Sequence, residues 1–186
     1  RQRLLAVIEH DVKRLDRLIS DISDASRLDA ELQRQEAAPI DLAKLLDALV
    51  KAANEVRADD VKVTLTFEGS PLSEFKIAGH DSRIGQVVSN LVDNARSFSP
   101  AGGTVRIVDQ VADEGPGIRP EALDKIFERF YTDRPEQGFG QNSGLGLSIS
   151  KQIVEAHGGT VRVENRMGGQ PSRVLGARFI VRLPAT

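Results

Sequence analysis

Apolar residues recur at spacings of three, four and seven from the start of the chain. Leu4, Ile8, Leu15, Leu18, Ile22 and Ala25 form a stripe that Leu28 and Leu32 extend, charges fill the other faces, and no Gly or Pro intervenes before Pro39. The spacing predicts one helix over residues 1 to about 36, roughly 50 Å long at 1.5 Å per residue. That is too long for a small globular core and fits a bundle or coiled coil. The alternative is a single amphipathic helix docked on its own domain.

Beyond Pro39, which marks a linker, the pattern changes. Asp41 is a candidate N-cap for a helix over about 42–57. Residues 61–67 (VKVTLTF) alternate as a half-buried strand, Gly69-Ser70-Pro71 reads as a turn, and Phe75–Ala78 as a short strand. Asp81 is expected to cap a second helix, which Ser99-Pro100-Ala101-Gly102-Gly103 ends. Thr104–Val108 reads as a strand, and another must end near Asp113. The eight residues between Thr104 and Asp113 are few for two strands and a turn, since strands average about five residues. Either the sequence skips part of a hairpin here or the hairpin is short. Residues 118–143 look irregular, with Pro120, Pro135, Gly138 and Gly140, and so long a loop is usually functional or mobile. Leu145–Ala156 is a predicted helix, followed by strands at Thr160–Glu164 and Ala177–Leu183. Helices alternating with antiparallel hairpins imply an α+β fold, a two-layer α/β sandwich rather than a parallel doubly wound sheet. The expected domains are 1–38 and 39–186.

Composition narrows the function classes. The 186 residues suit one domain plus an appendage, 40% are hydrophobic and 28% charged, and no tract is of low complexity. A net charge of −2 argues against a nucleic-acid binder, and the scarcity of aromatics argues against base-stacking platforms. With no cysteine, disulfides and thiolate metal sites are excluded, and three histidines are too few for a plausible zinc site. No apolar run approaches the roughly 18 residues of a membrane span, and no signal peptide is visible. The chain starts mid-pattern at Arg1 and reads as an excised piece of a longer protein.

Three short motifs carry the chemistry. Asn90 and Asn94, four residues apart, share one helix face, where amide oxygens can hold Mg²⁺ against phosphates. Asp113-Glu114-Gly115-Pro116-Gly117 offers a carboxylate able to accept a hydrogen bond from an amino group such as that of adenine, with glycines that keep side chains off the base. Gly144-Leu145-Gly146-Leu147 lets backbone N–H groups approach phosphate oxygens, at the start of a helix whose N-terminus attracts anions. Singly, each has a bland reading: a helix-packing amide, an ordinary glycine turn, a loop. The third motif is no Walker A loop, since no Lys-Ser/Thr follows, and no dinucleotide fingerprint, since Ile149 stands where a third glycine belongs. HRD and DFG are absent, which excludes a Ser/Thr/Tyr kinase fold.

In this order the motifs resemble the boxes of the histidine-kinase branch of the Bergerat-fold ATPases, which also include gyrase, Hsp90 and MutL. Asn90–Asn94 resembles the N box, Asp113–Gly117 the G1 box, Phe127-Glu-Arg-Phe130 the F box and Gly144–Gly146 the G2 box, and His157-Gly158-Gly159-Thr160 matches the usual start of the next strand. The likeness runs from about residue 1 to 184, and the F box separates the kinases from gyrase and Hsp90. A narrower resemblance, to ChvG-type sensor kinases of α-proteobacteria, rests on residues 94–100 (NARSFSP) and 138–159 (GFGQNSGLGLSISKQIVEAHGG).

The resemblance implies a mixed sheet covered by helices, preceded by the second helix of a dimerisation hairpin. It implies ATP and Mg²⁺ as ligands, with Asn94 holding the metal and Asn90 orienting metal water or phosphate; these two are the catalytic candidates. Phe98 would lie beside the adenine, Asp113 would accept its amino hydrogen, and Gly115, Gly117, Ile118, Phe130, Gly144, Leu145, Gly146 and Leu147 would complete the ATP site. Residues 119–143 would form a lid anchored by Phe127 and Phe130, with Arg129 either on a phosphate or merely exposed. Gyrase-like relatives carry a glutamate at Asn90 as hydrolytic base; an amide cannot act so, which points to transfer onto a protein. The family's usual lysine is replaced by Ser97, for which Arg96 and Lys151 are candidate substitutes. No histidine here has the acidic-and-proline context of a phosphoacceptor, so His10, His80 and His157 are expected to be structural or surface residues. The implied function is the catalytic domain of a sensor histidine kinase, passing the γ-phosphoryl to a histidine absent from this sequence and then to a response-regulator aspartate. The implied partners are the cognate hairpin, the regulator and a second copy in the full-length protein, and the implied place is the cytoplasmic part of an inner-membrane protein. The alternatives are a nucleotide-binding scaffold without phosphotransfer and another Bergerat-fold ATPase or anti-sigma kinase.

Overall fold

The computed structural model describes residues 12, 15, 19, 23, 37–56, 60–67, 75–108, 111–131, 144–169 and 173–185. The long helix expected over 1–36 lies outside the described residues, except that Val12, Leu15, Ile19 and Ser23 are helical.

The elements run β1 (Ala38–Asp41), α1 (Leu42–Val56), β2 (Lys62–Leu65), β3 (Lys76–Gly79), α2 (Asp81–Phe98), β4 (Thr104–Ile107), β5 (Val111–Ala112), a 3₁₀ turn (Pro120–Ala122), α3 (Gly146–Ala156), β6 (Thr160–Gly168) and β7 (Arg173–Arg182). β1 pairs with β3, and a mixed sheet has the order β2-β4-β5-β7-β6. Its β2–β4 pair is parallel and the others are antiparallel. The α+β two-layer architecture expected from the sequence is the one that forms.

Register explains the layers. Leu65 pairs with Ile107, Ile107 with Val111, Val111 with Phe179, and Phe179 with Val163. Directly paired residues point to the same face, so one apolar row crosses all five strands. It meets Ile84, Val87, Leu91 and Ala95 of α2 and Ile149 and Ile153 of α3 in a single core. The alternate row, Thr64, Arg106, Ala112, Arg178 and Glu164, is turned to the other face and mostly polar. There Arg178 pairs with Glu164, and Arg106 with Glu114 at 3.0 Å.

Four local expectations meet a definite outcome. The Lys44 N–H donates to Asp41 Oδ1 at 3.1 Å, so Asp41 caps α1 as expected. Asp81 does not cap α2: it is the first helical residue, and His80 is the N-cap, with extended backbone and no side-chain cap bond. The negative charge of Asp81 in the first turn still suits the helix dipole. The two strands expected between Thr104 and Asp113 both form and pair antiparallel, with Arg106 opposite Ala112 and Ile107 opposite Val111. Finally, β6 and β7 extend well past the predicted strands. Arg166, Met167, Gly168 and Gly176 break the apolar alternation, yet pairing continues through a register shift at Arg166/Met167.

Two histidines expected to be structural are so placed. The His80 N–H donates to His157 Nε2 at 3.2 Å, while His157 Nδ1 lies 2.7 Å from the Ile153 carbonyl. The pair joins the start of α2 to the end of α3.

The outer edge of β2 is closed by one side chain. Asn54 Nδ2 donates to the Val63 carbonyl at 2.9 Å, and the Val63 N–H donates to Asn54 Oδ1 at 3.0 Å. Asn54→Ala should therefore lower stability by about 1–2 kcal/mol, the net worth of two such bonds. Chemical denaturation checks this; an unchanged midpoint would show that the edge pairing contributes nothing.

Candidate functional site

The site is built around α2, which spans its two ends. Asn90 and Phe98 are eight residues apart on this helix, hence about 12 Å along its axis. Asn90 faces the start of α3, while the carbonyl at Phe98 lies against the loop after β5.

At the first end, Asn90 Nδ2 donates to the Gly146 carbonyl at 3.1 Å and to Ser150 Oγ at 3.2 Å. The expected N-box and G2 residues are thus in contact, although 56 residues apart in sequence. Asn94, one turn further along, is half-buried, and its side-chain amide makes no hydrogen bond to a described residue. α3 begins with Leu145 as N-cap and no side-chain cap bond, so its first N–H groups have no intrahelical partner. The Leu145 side chain is buried in the core and Leu147 packs against it, so the chain offers a ligand mainly backbone here. Gly144 adopts φ 71°, where a Cβ would stand 2.8 Å from the Phe130 carbonyl carbon. The Phe130 N–H donates to the Gly144 carbonyl at 3.0 Å, which ties the F box to the G2 turn.

At the second end, β5 ends at Ala112 and delivers Asp113 into the protein at 2% exposure. The Gly115 N–H at 2.9 Å and the Ala177 N–H at 3.0 Å both donate to Asp113 Oδ1. Oδ2 takes no bond from a described residue. Burial pushes the Asp113 carboxyl above its ordinary value, against the two backbone N–H bonds and the Arg166 charge, which pull it down. A Cβ at Gly115 would stand 2.7 Å from the Phe98 carbonyl oxygen, so only glycine lets the loop and α2 approach so closely. Gly117 has φ 78°, and Ile118 packs on the core.

Two expected roles fail on geometry, those of Arg96 as a lysine substitute and of Phe130 as an anchor. Arg96 does not stand in for the missing lysine: it is 5% exposed and Nη1 donates to the Ala53 carbonyl of α1 at 2.7 Å. Lys151 lies 5.9 Å from the Phe127 ring centroid and 3.9 Å from Glu155. The Ser97 hydroxyl donates to the Asn94 carbonyl at 2.8 Å. Of the two expected apolar anchors, Phe127 does pack, edge-on to Phe179 with centroids 6.3 Å apart. Phe130 does not: it is 60% exposed, because φ 64° and the bond to Gly144 turn it outward. Ala122 and Ile126, both buried, do the anchoring that the sequence reading gave to Phe130. Arg129 is exposed, and His10 lies outside the described residues, as does the latter half of the expected lid.

Sequence reasoning missed Ser150, Asn165 and Arg166. Asn165 had left a signal: it follows Val161 and Val163 on the inward face of β6, where a polar residue needs a partner.

Residues 79–186 match the family model described as histidine kinase-, DNA gyrase B-, and HSP90-like ATPase. The chain is 53% identical over its whole length to the sensor protein ChvG of Rhizobium meliloti, covering 34% of that protein. It thus spans about a third of the length of the curated relatives it matches. Among solved structures, the mycobacterial sensor histidine kinase MprB aligns with 80% of this chain and 97% of its own, at TM-score 0.65 and 31% identity. Histidine kinase ThkA, in complex with the response regulator protein TrrA, aligns with 99% of this chain and 51% of its own, at TM-score 0.72 and 25% identity.

The raised Asp113 carboxyl yields a pH prediction. A carboxyl harder to ionise folded than unfolded lowers stability as pH climbs from its ordinary range through its raised one. Asp113→Asn should therefore be more heat-stable than the parent at pH 7, with the gap closing as pH falls through that window. Melting curves from pH 4 to 7 decide it; a variant less stable at pH 7 with an unchanged gap would show that burial is not the dominant influence.

Proposed function

The chain belongs to the histidine kinase-, DNA gyrase B-, and HSP90-like ATPase family, and on that premise we propose that it is the ATP-binding catalytic part of a sensor histidine kinase. It transfers the ATP γ-phosphoryl to a nitrogen of a dimerisation-hairpin histidine that is not among His10, His80 and His157, and the phosphoryl then passes to an aspartate of a response regulator. The complex of the similar ThkA with its regulator supports that partner class. Residues 1–38 would supply one helix of a dimerisation hairpin. The exposed apolar side chains of Val12, Leu15 and Ile19, on successive turns, suit a partner helix. Among the described residues no helix is long and apolar enough to cross a membrane; the sensor as a whole is proposed to be a membrane protein with this part in the cytoplasm.

One observation carries the choice of transfer over hydrolysis. Residue 90 is an amide whose nitrogen is already bonded to Gly146 and Ser150. It has no basic group with which to activate water, so the acceptor must bring its own nucleophile, as an imidazole nitrogen does.

The residues present fit a magnesium–nucleotide complex. Asn94 has a half-buried amide with no partner among the described residues, the kind of oxygen ligand Mg²⁺ accepts beside its waters. When bound, the metal would supply charge neutralisation on the phosphates. The N-terminus of α3 and the turn at Gly144–Gly146 would face phosphate oxygens, Asp113 Oδ2 would accept from the adenine amino group, and Phe98 would flank the base. Ile118, Phe130 and Leu147 would line the site. The segment 119–143 would serve as a lid, hinged on the part that Ala122 and Ile126 fix to the core. The turned-back Ser97 hydroxyl favours the second reading, a nucleotide-binding scaffold without phosphotransfer.

Two experiments test this. Asn94→Ala should keep the circular dichroism of the parent and lose Mg²⁺-dependent phosphoryl transfer to a separate histidine-bearing hairpin by at least about a hundredfold; a folded, fully active variant rejects the metal role. Incubated alone with γ-labelled ATP, the chain should acquire no acid-labile label, and the added hairpin should acquire it. Label on His80 or His157 would contradict the structural role of that pair, and binding without any transfer to the hairpin would favour the scaffold.

A further inference from the structure

The loop that carries Asp113, Gly115 and Gly117 holds Gly115, Pro116 and Gly117 in sequence, and little within it dictates one path. It is held from outside by the β6–β7 hairpin. Asn165 on β6 makes two opposed bonds to one residue: the Ile118 N–H donates to Asn165 Oδ1 at 2.7 Å, and Asn165 Nδ2 donates to the Ile118 carbonyl at 2.7 Å. This is the bonding of a strand neighbour, supplied by a side chain. The contact is tight: a Cβ at Gly117 would stand 2.8 Å from Asn165 Oδ1 and would run into Val174. The next residue, Arg166, donates from Nη1 to the Asp113 carbonyl at 2.7 Å. Across the hairpin, the Asp113 N–H donates to the Ala177 carbonyl at 3.0 Å. The loop is therefore gripped at its front by Arg166 and Ala177, and at its back by Asn165. The strand register shifts immediately beyond, between Arg166 and Met167.

We propose that Asn165 is a positioning residue for base recognition: its two-way bond to Ile118 sets the course of residues 113–118, so that Asp113 Oδ2 and the bare backbone at Gly115 stand where a purine is read. This rests on the nucleotide reading of the site. Both side-chain hydrogen bonds of Asn165 go to Ile118, whereas Asn90 bonds Gly146 and Ser150 of α3, so loss of Asn165 should weaken recognition of the base and leave phosphate binding alone.

The test is calorimetry on the parent, Asn165→Ala and Asn165→Asp with ADP, alongside displacement of labelled ATP by tripolyphosphate, both with Mg²⁺. If the parent binds no ADP, the nucleotide reading itself falls. If it does, Asn165→Ala should bind ADP about tenfold more weakly, the worth of two neutral hydrogen bonds, with tripolyphosphate unchanged. Unchanged ADP affinity overturns the inference, and so does an equal loss for ADP and tripolyphosphate, which would mark general loosening. Asn165→Asp carries the test even if the alanine variant folds poorly. As a carboxylate it cannot donate to the Ile118 carbonyl; once protonated it has one donor and one acceptor, like the amide it replaces. Relative to the parent at the same pH, its ADP affinity should recover on acidification. A constant ratio to the parent across pH would overturn the two-way bond as the cause.

Discussion

The pairing of Val111 with Phe179 is the constraint on which the site depends. Strand β5 has only two residues, and the position of Val111 in the apolar row that runs from Leu65 to Val163 fixes its register. A slip of one residue would turn Val111 to the polar face and Ala112 inward. With Val111 held against Phe179, Asp113 must emerge beside Ala177, where a backbone N–H meets its carboxylate. The core thus places a charged group where the apolar effect alone would never put one.

That placement works against stability. Asp113 is buried, and burial is the dominant influence on its carboxyl. Two backbone N–H groups and the Arg166 charge offset part of the penalty, and both N–H bonds fall on one oxygen. The other oxygen takes no hydrogen bond from a described residue. Phe130 is a second local conflict, a bulky residue at positive φ with its ring in solvent, tied to Gly144 at the mouth of the site. Strained and under-satisfied groups gather at functional sites because the surrounding structure over-determines them.

Asparagine recurs as the connector. Among the described residues there are four: Asn54, Asn90, Asn94 and Asn165. Asn54 and Asn165 each donate to and accept from one backbone residue, acting as a neighbouring strand for Val63 and Ile118. Asn90 ties α2 to the first turn of α3. A short side chain with both donor and acceptor suits such joints, since it matches a peptide group in size and polarity. The Asn94 side-chain amide differs from these three in making no hydrogen bond to a described residue.

By itself the sequence determined what local chemistry can write. Helix periodicity placed α1, α2 and α3 to within a residue or two; the alternation at 61–67 placed β2. The order of the motifs at Asn90–Asn94, Asp113–Gly117 and Gly144–Leu147 pointed to the family. Tertiary structure decided the rest. It turned Arg96 onto Ala53 of α1, brought Asn165 to Ile118 across 47 residues, exposed Phe130, and carried β6 and β7 through residues that break the alternation. Periodicity and capping reach only a few residues along the chain, whereas these outcomes depend on which distant backbone group lies opposite a side chain. That is settled only when the sheet register and the packing of α2 and α3 are fixed together.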